Sequence, residues 1–559
     1  MLHSLFRKKS GGGEILPDEI FLDSSNLPEF DDGQFEGRVE RPVNDISIFV
    51  IIGIFVLVGL LFTARAFDLQ VLRGTIFAEA SKNNRLAHSV VFSERGVIFD
   101  RNGVELAWNV SGENDHAERR YIDVEGLSHV LGFVRYPKTD RAGEWWRTDI
   151  VGVAGAEQAF NETLAGHNGQ QIIEINALGE VVREQLVYPA EDGRNMTLSI
   201  DADIQHVLHE TLENHARVHG FRGGASVIMD VETGEVISLV SFPEYDSQAL
   251  TDGDDLVISG YANNTNNPFL NRAVQGMYTP GSIVKPMFAA AALAEKIISP
   301  EKEIFSPGFI SVPNPYDPSN PSIIRDWKAH GWTAMREAIA VSSDVYFYAI
   351  GGGYEDQEGL GIALLDEYAR LFGLDAKTGI PLSGETSGVI PTPEWKEEVF
   401  DGDPWRLGDT YITSIGQYGF QITPIQAARM TTAIANGGTL LLPKLVKTDN
   451  STPSLIGVSP DDLEVVKSGM RMAVVSEDGT ARALNVPGIS LAGKTGTAQV
   501  GNRNQWMHSW AIGFWPYENP TYAFATVLEQ APEGTLAGSA PAMQPFFEWL
   551  VANKPEYVQ

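Results

Sequence analysis

The 559-residue chain contains no cysteine. A disulfide, a thiolate zinc site and a cysteine nucleophile are excluded together. Basic residues are also short: 41 Lys and Arg stand against 73 Asp and Glu, for a formal charge of −32. Such a surface repels phosphate over most of its extent, which argues against nucleic acid as a partner. It argues equally against a chain lying flat on anionic lipid. Long apolar runs are scarce as well, and a single one stands out.

That run covers 46–62 and, with Thr63 and Ala64, approaches the roughly 20 residues that cross a bilayer. A buried core helix is one reading, but the run is apolar on all faces. A cleaved signal is another, because Ala64-Arg65-Ala66 has the small-x-small form. A leader of about 45 residues and so long an apolar stretch speak against it. An uncleaved anchor over 46–67 is expected. Charge leaves its orientation open: Arg7, Lys8, Lys9, Arg38 and Arg41 precede it, and Arg65, Arg73, Lys82 and Arg85 follow closely.

What is present is globular. Hydrophobic residues make up 43% and charged residues 20%, enough for sizeable cores, and the length predicts several structural units. Residues 1–45 carry no persistent helical or strand period and read as a disordered tail. Residues 68–200 read as a small, β-rich pedestal, with an Asn102-Gly103 turn and a helix expected over 158–164. A larger domain over 201–553 opens with Asp201 as a helix N-cap, and 554–559 form a short tail. Strands are expected over 225–230 and 235–241, then a helical middle section to about 440, then strands over 488–500, 509–515 and 521–528 and a helix over 542–553. This is an α+β pattern: one sheet built from both ends of a domain, with helices packed on it.

Three short patterns carry the chemistry, in the order Ser282-Ile283-Val284-Lys285, Ser342-Ser343-Asp344 and Lys494-Thr495-Gly496-Thr497. Each alone is weak, since the chain repeats all three. Ser299-Pro300-Glu301-Lys302 fits the first but sits among charges beside Pro300, as an exposed turn would. Ser24-Ser25-Asn26 and Ser476-Glu477-Asp478 fit the second, in the tail and in a charged turn. Lys377-Thr378-Gly379 fits the third, but after the helix-stop Gly373 and before Pro381. Ser282 instead opens an apolar segment with Lys285 one turn later on the same face, where lost solvation disfavours the charged amine. Ser342 and Asp344 are embedded in apolar sequence and need partners. Lys494 enters an extended run whose backbone can pair with a peptide as an added strand, and Gly496 would let that peptide approach closely.

The ordered set is the signature of penicillin-binding proteins and serine β-lactamases. Wider segments resemble class B penicillin-binding proteins, among them Arg95-Gly96, Asp100-Arg101-Asn102-Gly103, Gly155-Ala156-Glu157, Asn271-Arg272-Ala273, Tyr278-Thr279-Pro280-Gly281 and Pro393-Glu394-Trp395-Lys396. Gly408-Asp409-Thr410, Ser414-Ile415-Gly416-Gln417 and His508-Ser509-Trp510 resemble the elongation-type branch, penicillin-binding protein two. The resemblance spans roughly 46–553. It implies a penicillin-binding/serine β-lactamase-like transpeptidase domain: an antiparallel sheet with helices on both faces plus a helical subdomain, behind one transmembrane helix and the pedestal.

It further implies a D,D-transpeptidase that cross-links peptidoglycan stem peptides and is acylated by β-lactams. Ser282 would be the nucleophile, Lys285 its base, Ser342 a proton relay, and Lys494 a second cation favouring neutral Lys285. Thr495, Gly496, Thr497, Asp344 and Gln499 would contact substrate, with the Ser282 and Thr497 backbone N–H groups as oxyanion hole. Asp344 departs from the commoner Asn and, when ionised, cannot donate an amide hydrogen bond, so pairing with Lys285 or Lys494 is expected. No cofactor or metal is implied. The resemblance places the catalytic domain outside the cytoplasmic (inner) membrane with the N-terminus inside. It suggests a polytopic SEDS-type peptidoglycan glycosyltransferase and elongation scaffold proteins as partners. A serine β-lactamase or carboxypeptidase, a β-lactam-sensing receptor and an idle scaffold are the competing readings.

Overall fold

The computed structural model describes residues 45–83, 86–112, 115–141, 145–175, 181–313, 317, 319–447 and 453–558. The expected tail, save Asp45, and its Ser24-Ser25-Asn26 triplet lie outside the described residues. The described residues divide into two compact units, the first falling within 1–87 and 174–180 and the second within 88–173 and 181–559.

In the first unit, α1 (Asp45–Phe67) is a 23-residue helix, about 35 Å long at 1.5 Å per residue. Val50, Ile51, Phe55, Val56, Leu60 and Leu61 are all more than half exposed. These positions fall on every side of the helix, so it has no protein-facing stripe and is long and apolar enough to cross a membrane.

The second unit begins with the pedestal. Its four-stranded sheet has the order β4-β1-β2-β3, from β1 (Ile98–Phe99), β2 (Glu105–Val110), β3 (Glu118–Tyr121) and β4 (Met196–Thr197). The helix expected over 158–164 is two pieces, α2 (Gly155–Ala159) and α3 (Asn161–Leu164), broken at Phe160. Asn161 accepts the Gly152 N–H at 2.9 Å, the local capture by which Asn competes with helix propagation. Beneath the sheet, Glu157 receives Arg95 at 2.5 Å and Arg119 at 2.8 Å, all three buried. The Arg95-Gly96 and Gly155-Ala156-Glu157 segments thus meet in space.

The Asp100 turn then joins pedestal to catalytic domain. Its carboxylate accepts the Asn102, Val104 and Ala202 N–H groups, and Asn102 reaches Asp201 at 2.9 Å. Asp201 is the N-cap of α4 (Ala202–His219), accepting from the N–H groups of Asp203 and Ile204.

The catalytic sheet has five antiparallel strands in the order β6-β5-β9-β8-β7: β5 (Gly223–Asp230), β6 (Val236–Phe242), β7 (Ala492–Val500), β8 (Trp506–Trp515) and β9 (Tyr522–Pro532). The last three strands insert beside the first hairpin, so both ends of the domain share one sheet. Period-two alternation sorts their side chains into two cores. Ala225, Val227, Ile512, Phe514, Ala525 and Val527 join the helical side, with α5 (Lys285–Ala294) and α8 (Pro424–Ala435). Ile228, Ala511, Trp515, Phe524 and Leu528 join the other, with α4 and α10 (Ser539–Asn553). Between α5 and α8 lie α6 (Met335–Val341) and α7 (Asp344–Gly352), and α9 (Pro460–Val475) follows α8. The expected α+β domain with helices on both faces is what forms. The strand expected from 488 starts only at Ala492.

Candidate active site

Ser282 lies on a 3₁₀ turn (Gly281–Val284) rather than on the helix itself. Pro286 explains this. It has no N–H to send to the Ser282 carbonyl in α register, so the Lys285 N–H takes that carbonyl instead. Residues three apart share a side of a 3₁₀ turn, so Lys285 follows Ser282 on one side of it. Gly281 has φ +55, and an added Cβ there would meet the Thr497 carbonyl oxygen at 2.6 Å. The turn is held from behind by Gly281 N–H donating to the Gly416 carbonyl at 2.9 Å and by Trp510 Nε1 donating to the Thr279 carbonyl at 3.0 Å. Arg272 and Tyr278, on the approach to Ser282, both bond Glu529 of β9, at 2.7 and 2.8 Å.

Ser342 occupies the junction of α6 and α7 in the left-handed region, φ 59, a conformation that costs a non-glycine residue about 1–2 kcal/mol. The junction is over-determined. Lys285 Nζ donates to the Ser342 carbonyl at 2.9 Å, to Ser342 Oγ at 3.3 Å and to Asp344 Oδ1 at 2.6 Å. Lys494 Nζ donates to Ser342 Oγ at 2.8 Å and to the Thr495 carbonyl at 2.7 Å. The Ser342 hydroxyl therefore bridges two lysines that are both fully buried.

Electrostatics order these lysines differently from the sequence expectation. Asp344 chooses Lys285, which also lies 5.4 Å from the Phe347 ring centre. Burial raises the Asp344 carboxyl above its ordinary range, against the pull of Lys285. Lys494, expected to be the standing cation, is held well below the ordinary lysine range by burial first and by the Lys285 charge second.

The third motif lies on β7, the sheet edge. Lys494, Gly496 and Ala498 point inward and are buried, while Thr495 is half-buried and Thr497 and Gln499 are exposed. Gln417 Nε2 reaches the Thr497 carbonyl at 3.4 Å, and Lys494 Nζ takes that of Thr495, so both carbonyls leave β7 on the side away from β8. A strand residue sends its N–H to the same side as its carbonyl, so the Thr495 and Thr497 N–H groups face the open edge. At Gly496 the direction a side chain would take is filled by the Ser282 turn: an added Cβ would meet the Pro280 carbonyl oxygen at 2.8 Å and Ile283 Cγ2 at 2.9 Å. Gln499 is engaged by Glu533 at 2.6 Å.

The decoys separate cleanly. Ser299 and Lys302 are exposed in a turn, Lys377 is exposed, and Thr378 is tied to Glu385. Two residues of the site escaped the sequence reading. Trp327 Nε1 donates to the Ser342 carbonyl at 3.2 Å, and Asp326 accepts from Ser343 Oγ at 3.1 Å and from the Val345 N–H at 3.0 Å. Burial opposes ionisation of Asp326, but His330 at 3.4 Å, the Val345 N–H and Lys285 together hold its carboxyl below the usual range. No triplet marks this pair in the sequence; its only signal is an acidic–aromatic step just before a lysine.

A serine, two buried lysines and a hydroxyl between them, set at an open sheet edge, define an active-site serine acyl-transferase. The chain matches the penicillin binding protein transpeptidase domain over residues 224–548 and the penicillin-binding protein dimerisation domain over 113–198. It is 31% identical over 484 residues to the peptidoglycan D,D-transpeptidase MrdA of Haemophilus influenzae, covering 79% of this chain and 70% of the relative. A Pseudomonas aeruginosa PBP2 structure in complex with WCK 5153 is 30% identical with a TM-score of 0.67, over 84% of this chain and 100% of that one. PBP2 of Helicobacter pylori, solved in complex with MreC, is 26% identical with a TM-score of 0.69, over 84% and 99%. The chain belongs to the class B penicillin-binding proteins, on the elongation-type, PBP2-like branch. Like that family it is membrane-anchored, through α1.

Proposed function

We propose that the chain is a peptidoglycan D,D-transpeptidase of cell-wall elongation, working through an acyl-enzyme on Ser282. The observation that carries this is Ser342 Oγ between Lys285 and Lys494, beside the Ser282 turn. In the resting arrangement the three acceptors around Lys285 engage all three hydrogens of a charged amine. To accept the Ser282 proton it must first give one up. Ser342 provides the route: its hydroxyl passes a proton to Lys494, whose neutral form burial favours, and takes one from Lys285. Lys494 then becomes the cation that attracts the carboxylate of the stem peptide, while neutral Lys285 activates Ser282.

The peptide lies along β7 as an added strand, its carboxylate at Thr495 and Thr497. The N–H groups of Ser282 and Thr497 receive the developing oxyanion. Ser282 Oγ bonds the penultimate D-Ala carbonyl carbon, the terminal D-Ala leaves with a proton, and an acceptor amine from a neighbouring strand displaces Ser282 to complete the cross-link. Asp344 acts on Lys285 rather than on substrate, and Gln499 borders the groove from the Glu533 side.

The active domain lies outside the cytoplasmic membrane with the N-terminus inside, because that is where the substrate is. Partners are a polytopic SEDS-type glycosyltransferase at the anchor and elongation scaffold proteins at the pedestal; the MreC complex of the Helicobacter pylori protein supports the second.

The test is fluorescent-penicillin labelling of wild type, Ser282→Ala and Ser299→Ala. Label is expected on wild type and Ser299→Ala and absent from Ser282→Ala. Label on Ser282→Ala would overturn the assignment, and rapid release of label would favour a hydrolase.

A further inference from the structure

A cavity of about 520 Å³ lies where the pedestal loop after β3 meets α4 and the segment after β6, and its lining includes Glu125, His209, Glu213 and Glu244. His209 and Glu213 stand four residues apart on α4, hence on one face. Glu125 arrives from the pedestal loop. That loop closes tightly on the helix at Gly126, φ +97, where an added Cβ would meet His209 Cβ at 2.7 Å. One ligand atom from each of Glu125, His209 and Glu213 lies within 4.8 Å of the other two.

His209 is the telling member. It is 2% exposed, yet neither ring nitrogen has a hydrogen-bond partner. Buried polar groups are paired in the great majority, and leaving one unmet costs about 1–3 kcal/mol. A neutral imidazole presents one bare ring nitrogen, and here no protein group meets it. Around it the carboxylates crowd one another. Glu244, in the same cavity, is engaged by the Gly126 and Ser128 N–H groups at 2.6 and 3.1 Å, while Glu125 and Glu213 stand beside His209. An uncompensated imidazole facing two mutually repelling carboxylates is an arrangement that a cation completes.

We propose that Glu125, His209 and Glu213 bind one divalent transition-metal ion of the zinc class, pinning the pedestal loop to the first helix of the catalytic domain. One imidazole and two carboxylates suit such an ion, whereas calcium and magnesium take all-oxygen sets. Three protein ligands leave a fourth position open to the cavity. The site shares no residue with the Ser282 centre, so the proposal stands or falls independently of the acyl-transferase reading.

The experiment uses the full chain in detergent, stripped with EDTA and titrated with Zn²⁺ and, for its visible spectrum, Co²⁺. One ion per chain, ligand-field bands from Co²⁺ and a thermal midpoint that rises with Zn²⁺ are expected. Glu125→Gln and Glu213→Gln should each weaken binding at least about tenfold, the effect of losing even an outer partner of a metal ligand. The double variant should lose the bands and the midpoint rise while still taking fluorescent penicillin, which shows that it is folded. Should the double variant fail to fold, Glu125→Gln alone decides, since Glu125 is exposed. Wild type without stoichiometric binding, or Glu125→Gln binding as tightly as wild type, would overturn the proposal.

Discussion

Replacing Asp344 by Asn removes a charge and leaves the shape nearly unchanged. In the wild type the Asp344 carboxylate sits 2.6 Å from Lys285 Nζ, with the lysine fully buried and the carboxylate side chain 16% exposed. An opposite charge at this range moves a titration by about one to three pH units, or about 1.4–4 kcal/mol. The Asn amide oxygen can still accept the Nζ hydrogen, so the change isolates the charge. The same free energy must then appear in one of two ways. Either Lys285 keeps its proton and the fold is weakened by about that amount, or the proton leaves more readily and the fold is largely spared.

The second outcome has a kinetic signature. Acylation that needs a neutral lysine falls tenfold per pH unit below its acid limb. Moving the limb down by one to three units therefore raises the ratio of acylation rates at pH 6 and pH 8 by up to about 100-fold, the most that a tenfold-per-unit limb allows over two units. Stopped-flow labelling with fluorescent penicillin across pH 5–9, paired with thermal melts, measures both terms. Suppose instead that Asp344→Asn raises the plateau rate at alkaline pH and leaves the limb where it is. The gain would then come from the new amide donor touching the ligand, and the assignment of Asp344 to Lys285 would be refuted. An unmoved limb with an unmoved melting point would refute it too.

Three further outcomes follow from the same geometry. Gly496→Ala should reduce acylation about 10- to 100-fold and cost about 1–3 kcal/mol of stability, because its Cβ presses on the Pro280 carbonyl and on the buried Ile283 of the Ser282 turn; wild-type acylation would contradict the packing. His508 is buried, and burial holds its imidazole down at about 4 against the pull of Glu529, so the unfolded chain binds the extra proton between about pH 6.5 and 4 and stability falls as pH falls through that window. Between pH 7 and 5 this amounts to about 2 kcal/mol. Glu244, raised to about 7, works in the opposite sense, so the readout is the difference between wild type and His508→Gln, and equal acid sensitivity of the two would count against it. Glu157→Gln should cost about 3–5 kcal/mol in chemical denaturation, since Arg95 and Arg119 are left buried without their counter-charge.

The chemistry of this chain was more legible than its geometry, for a physical reason. Ser282, Ser342 and Lys494 belong to short patterns whose apolar or extended surroundings set them apart from their decoys, and local context is what a sequence displays. The N-cap at Asp201, the hairpin and the closing strands were readable for the same reason. What could not be read depends on what lies across the fold. Pro286 turns the start of the expected helix into a 3₁₀ turn, and Asn161 splits a pedestal helix through a bond to Gly152. Asp326 and Trp327 act only because a loop far from any triplet folds back onto Ser342. The Glu125–His209–Glu213 cluster is half visible as an i, i+4 pair on one helix, but its third member comes from the pedestal.

At Gly496 the structure supplies a reason for the glycine that the sequence did not display. A glycine in an edge strand marks a close approach, and the sequence suggested an incoming peptide. The approach in the structure is internal: the Pro280–Ile283 backbone packs into the space that a side chain would fill. This distinction bears on the mechanism. If substrate occupied that space, nucleophile and oxyanion donor could shift independently until it bound. Because the Ser282 turn fills it, and because Gly281 is pressed against the Thr497 carbonyl, the serine N–H and the Thr497 N–H are fixed relative to one another before any ligand arrives. Donors placed in advance spend no reorganisation energy as charge develops, which is where oxyanion stabilisation gets most of its effect. Under the proposed mechanism the glycine thus serves to position the Ser282 turn against β7.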